Sequence, residues 1–296
     1  MLNANCLFNL FSIQHLGIYI WHSSLMRHFK RRRFGKFHIS RREKFLATTI
    51  ILTAGLVATQ LISFDQRLLM VVGLSVITYI LSAWVLREDL EGVEWFTLLI
   101  LPSLYTAAVC LFYFLLPARW ITRVPTALFY AIGMYAVLLT ENIYNVSAER
   151  SIQLVRAAHS IGYLITLMTA FLFFNTLFAL HLPFYFNALG AALITFPLSI
   201  QSLWSVVLTE RSFSPTIWWY AIAATIIIAE LALTISLWPI RGVVAALVLS
   251  AALYTLIGTG QQRLMDRLFK TIIREFIIVI VIVFMLSLFA TRWGGS

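Results

Sequence analysis

Nine apolar runs follow one another along the chain, at 44–63, 68–86, 96–116, 126–146, 157–182, 184–208, 217–238, 242–259 and 276–291. Most approach the ~20 residues that an α-helix, rising ~1.5 Å per residue, needs to cross ~30 Å of hydrocarbon. Barrel strands alternate over about ten residues and do not produce such runs. The expected fold is therefore all-α: a polytopic integral membrane protein of about nine transmembrane helices. Residues 1–43 form a basic N-terminal tail, 44–291 the helical bundle, and 292–296 a short C-terminal tail.

Composition agrees with a lipid-facing surface. Hydrophobic residues make up 61% of the chain and charged ones 11%, against about 25% in soluble domains. The net charge of +10 invites a nucleic-acid reading, but its distribution argues otherwise. Nine of the 22 Lys and Arg lie between Arg27 and Lys44, directly before the first run. Such a cluster orients a membrane protein and attracts anionic lipid. The expected partners are thus the bilayer with its anionic headgroups and a protein at the cytosolic face, with no nucleic acid. Residues 1–25 are not ordered as a signal peptide, because their apolar stretch precedes the basic cluster. They read as an interfacial helix, or as an extension upstream of a start at Met26.

With the N-terminus inside, inner segments carry seventeen Lys and Arg and outer segments five. This follows the positive-inside rule, and the tail decides it. The expected location is the cell membrane. The outer loops are short, so exposed working surface is expected on the inner side. That side holds the acidic loop Arg87 to Trp95, a polar connector from Glu141 to His159, and the stretch 260–275. In 260–275, Arg263, Arg267, Lys270 and Arg274 recur at helical spacing beside Leu264, Leu268 and Ile272, predicting a basic amphipathic inner-face helix that contacts lipid headgroups.

Two sets of polar residues are candidate sites. Glu230 is the one ionisable group deep in an otherwise apolar span, where a carboxylate is costly unless paired, protonated or facing water. It is expected to point into the bundle, and Asn175 lies at matching depth, making the two a candidate substrate or ion site. The second set is the inner-face cluster of Glu141, Asn142, Arg156 and His159. A His beside a carboxylate and an Arg can do acid–base work, although a solvated helix start has the same composition. Cys6 and Cys110 are far apart in the sequence, and no zinc, nucleotide or hydrolase motif is present. No catalytic residue, metal or cofactor is assigned. Gly242, Ala246 and Ser250 form a small-residue stripe that predicts close helix packing.

The stretches Gly92-Val93-Glu94-Trp95-Phe96-Thr97-Leu98-Leu99-Ile100-Leu101-Pro102 and Arg156-Ala157-Ala158-His159-Ser160-Ile161-Gly162 resemble segments of uncharacterised multi-pass membrane proteins encoded by small-genome bacteria. The resemblance extends over most of residues 44–210, and implies a bacterial inner membrane and no assigned activity. Three function classes follow from the residues. The first is a non-enzymatic scaffold supporting an inner-face complex. The second is a small-solute or ion transporter using Glu230, and the third a membrane enzyme acting on lipid-linked substrates. A hydrated cavity at Glu230 speaks for transport, a lateral cleft at the inner headgroup level for lipid chemistry, and a packed bundle with neither for a scaffold.

Overall fold

The computed structural model describes residues 41–59, 66–87, 94–117, 119–146, 152–207 and 214–291. The basic tail up to Ser40, positions 88–93 of the acidic loop, residues 147–151 and the C-terminal tail lie outside the described residues. The described residues form nine helices and no strand. They are α1 (Arg41–Thr59), α2 (Arg67–Leu86), α3 (Glu94–Leu115), α4 (Trp120–Asn145), α5 (Ile152–Ala179), α6 (Phe184–Trp204), α7 (Pro215–Ser236), α8 (Gly242–Leu264) and α9 (Lys270–Ala290). Eight of these are long and apolar enough to cross a membrane. The ninth, α1, has 19 residues and opens with Arg41, Arg42, Glu43 and Lys44, which dilute its apolar character. The protein is a multi-pass membrane protein.

Consecutive helices run antiparallel, so the bundle has two ends. At the end where α1 begins, here the proximal end, Lys44 lies over the Trp84 ring late in α2, and Asn145 of α4 donates to the Leu86 carbonyl of α2. At the distal end, Arg67 at the start of α2 lies over Phe114 near the end of α3, and Asn187 of α6 donates to Ser236 of α7. Helix α5 is central and packs on α3, α4, α6 and α8, while α1 to α4 cluster on one side of it. Large aliphatic side chains such as Ile132, Leu193, Ile226 and Ile278 remain exposed on the outer wall, as hydrocarbon permits and water does not.

Polar residues inside the bundle tie helices together. Thr106 of α3 lies 3.1 Å from the Thr78 hydroxyl of α2 and 2.9 Å from the Tyr130 hydroxyl of α4. Tyr105 stacks on Tyr130 with ring centroids 5.6 Å apart and donates to the Phe129 carbonyl. Gly133 makes the stack possible, since a Cβ there would collide with the Tyr105 hydroxyl. The predicted small-residue stripe packs as expected: a Cβ on Gly242 would meet Phe178 of α5 at 3.3 Å, and Ala246 is fully buried.

Two segments differ from the sequence reading. Helix α4 begins at Trp120, so Pro125 stands inside it instead of before it. As the sixth helical residue it lies just past the first turn, so its missing N–H forgoes one helix hydrogen bond. The stretch 260–275 is not one amphipathic helix. Helix α8 continues to Leu264 and closes with a Schellman turn, in which Arg267 N–H donates to Gln262 and Asp266 N–H to Arg263. Asp266 takes the left-handed conformation at φ 54°, which acidic and amide side chains tolerate better than most. Helix α9 then restarts at Lys270.

Candidate functional site

The proximal ends of α4, α5, α6 and α8 bring a band of polar side chains together. In the last turns of α4, Thr140, Glu141, Asn142 and Tyr144 are all buried. Glu141 was expected on a polar connector, yet it is fully enclosed. Its burial follows from α4 running on to Asn145, which seats the carboxyl against α6. There Gln201 Nε2 donates to Glu141 Oε1 at 3.1 Å. The second carboxyl oxygen, Oε2, and the Gln201 Oε1 atom are both buried without a hydrogen-bond partner.

Next to this pair, Gln261 of α8 donates to the Ser202 carbonyl at 2.8 Å and to its hydroxyl at 3.1 Å. Tyr144 donates to the Ala158 carbonyl of α5 at 3.0 Å. Its ring lies 5.4 Å from that of His159. Gly162 gives the tyrosine room, because a Cβ there would stand 2.6 Å from the hydroxyl. Sequence reasoning missed Gln201, Ser202, Tyr144 and Gln261.

In front of the band, a cleft of about 430 Å³ opens between α5, α8 and α9. Arg156 and His159 of α5, Gln261 and Gln262 of α8, Arg267 of the turn and Glu275 of α9 supply its polar lining. Tyr254, Ile272 and Phe276 form an apolar side. The Nε2 atom of His159 is buried without a hydrogen-bond partner. Arg156, Arg267 and Glu275 are exposed, and among the described residues none makes an ion pair. A cleft at the helix ends, half charged and half apolar, is shaped for an amphiphile. A second cavity of about 510 Å³, lined by α1 residues from Thr49 to Ala58 and by Ala131 of α4, is almost wholly apolar and offers no chemistry.

The expected inner-face cluster is thus divided. Arg156 and His159 share the cleft, whereas Glu141 and Asn142 lie buried in α4 away from it. Of the four basic residues expected at headgroups, Arg267 lines the cleft; Arg263, Lys270 and Arg274 are exposed at the same end outside it.

The expected pairing of Glu230 with Asn175 is not formed. Asn175 is buried on α5, while Glu230 is exposed on α7, and those two helices are not packed together. Helix α7 turns the stripe Ile217, Ala221, Ala224, Ile228, Ala232 and Ile235 inward. Glu230 follows Ile228 by two residues, about 200° around the helix, and therefore faces outward among Ile226, Ile227 and Leu233. Matching depth fixed neither the rotation of α7 nor its neighbours. Among the described residues no group of three or more His, Cys, Asp or Glu is arranged to hold a metal.

A family profile covers residues 46–290, from the first turns of α1 to the last residue of α9. The chain belongs to the DUF5656 family. That family is described as proteins of unknown function, which agrees with an uncharacterised family. Neither the curated proteins nor the solved structures give a match. The DUF5656 region is the helical bundle itself, and the cleft lies wholly within it.

Proposed function

We propose that this DUF5656 protein binds an anionic lipid, seating its headgroup in the cleft between α5, α8 and α9 while the acyl chains stay in the bilayer. One observation carries the reading. Two arginines that make no ion pair among the described residues share with a histidine a cleft that has an apolar wall at the level of the helix ends. Arginine suits this role because its planar fork matches a phosphate in two parallel hydrogen bonds. The cleft's volume falls within the ~300–1,000 Å³ of ordinary small-molecule sites. The reading lies closest to the class acting on lipid-linked substrates, without a catalytic constellation: Glu141, the buried carboxyl, does not line the cleft.

On the seventeen-to-five charge count, the proximal end faces the cytosol. The resemblance of the sequence favours a bacterial inner membrane for this membrane protein. The test is native mass spectrometry of the full chain released from a mild detergent. The wild type is expected to retain lipid, and the double variant Arg156→Gln, Arg267→Gln to release it. Equal lipid retention in both would overturn the proposal.

The scaffold reading keeps one specific support. Helix α9 buries only Phe276 and Ser287 among its residues. A photo-crosslinker at Ile278, exposed on α9, should then capture a protein neighbour in the native membrane. Lipid adducts alone would remove that support.

A further inference from the structure

The charges in the cleft select among anionic lipids, and this inference rests on the headgroup reading above. Arg156 and Arg267 bring two positive charges and Glu275 one negative charge into the same space. None of the three is neutralised by an ion pair among the described residues, so with a neutral His159 the cleft presents one net positive charge.

We infer that the cleft fits a phosphodiester headgroup bearing hydroxyls, of the phosphoglycerol type, with a single net negative charge. A phosphomonoester carries about −1.5 to −2 at neutral pH. Its second charge would face Glu275, and juxtaposed like charges are strongly disfavoured. A zwitterionic phosphoethanolamine can set its ammonium on Glu275, but with no net charge it leaves the one-charge surplus of the two arginines unmatched.

A polyol phosphodiester meets every group. Its phosphate takes Arg156 and Arg267. Its hydroxyls donate to the Glu275 carboxylate and accept from the Gln262 amide. Ile272 and Phe276, on the apolar side, meet the start of the acyl chains.

The experiment uses the full chain in mild detergent, with phosphatidylglycerol, phosphatidate and phosphatidylethanolamine of identical acyl chains as competing probes read by native mass spectrometry. Phosphatidylglycerol should be retained over each of the others by at least about tenfold, the scale expected from one misplaced charge. Glu275→Gln should raise phosphatidate relative to phosphatidylglycerol, because it removes the repelling carboxylate and keeps the shape. The three lining charges are exposed, so these variants should fold, and unchanged melting checks that.

If phosphatidate or phosphatidylethanolamine equals or exceeds phosphatidylglycerol in the wild type, the inference fails while the headgroup site stands. An unchanged lipid ranking in Glu275→Gln also overturns it. If the Arg156→Gln, Arg267→Gln variant retains all three lipids like the wild type, the headgroup site itself fails.

Discussion

Replacing Gln201 with Leu tests what the buried Glu141–Gln201 pair contributes. The substitution removes one interhelical hydrogen bond of 3.1 Å and leaves the fully enclosed Glu141 carboxyl with no partner. Interhelical hydrogen bonds in membrane proteins average about 0.6 kcal/mol and reach about 1.7. A buried polar group left unsatisfied adds about 1–3 kcal/mol. Gln201→Leu is therefore expected to cost about 2 kcal/mol, and Glu141→Leu, which strands the amide, about the same. The double variant strands neither group and fills similar volume with apolar atoms, so its cost should fall below that of either single, under about 1 kcal/mol. Melting of the detergent-solubilised protein, followed by its own tryptophan fluorescence, reads this as drops of roughly 4–8 °C for the singles. The double should recover most of the loss. If its loss equals the sum of the singles to within about 0.5 kcal/mol, the two side chains are energetically independent and the reasoning is wrong.

Gly133→Ala should lower the melting temperature, since its Cβ runs into Tyr105 and overpacking costs about 1–3 kcal/mol. Gly73→Ala, where no atom stands within 4 Å, should change little, and equal losses at both sites would remove the steric explanation. For Glu230 and Asn175, a double-mutant cycle with Leu at each should be additive, because their helices are not packed together; coupling beyond about 0.5 kcal/mol would contradict that geometry. In a Cys6→Ser background, His181→Cys in the exposed distal turn should react with an impermeant thiol reagent on intact cells, and Asp266→Cys in the exposed proximal turn only after permeabilisation. The reverse pattern would invert the orientation drawn from the charge count.

The apolar runs made the helices legible, and their ends were misjudged where polar residues continue a helix past its apolar core. That is why the apolar pattern assigns Glu141 to a connector although α4 carries it inside. A usable signal was present. Glu141 stands four residues before the end of α4, Gln201 three before the end of α6, and Gln261 three before the end of α8. In an antiparallel bundle such positions share a depth, and polar groups at one depth can satisfy one another. The outward face of Glu230 was not legible, because a helix that is apolar all round carries no periodicity from which to read its rotation. The break at 265–269 was hidden as well. Its left-handed position is filled by Asp266 instead of the glycine that ordinarily marks a helix end, and the basic residues continue at helical spacing across it.

Helix α9 contributes a wall of the cleft, yet buries few of its own residues and packs chiefly on α8. During synthesis it emerges after the eight other described helices, and its apolar length lets it enter the bilayer before any docking. The other helices can therefore pack while the cleft is still missing a side. On the headgroup reading proposed above, a chain stalled before α9 is expected to lack Ile272, Glu275 and Phe276 from the cleft and with them to lose its retention of lipid.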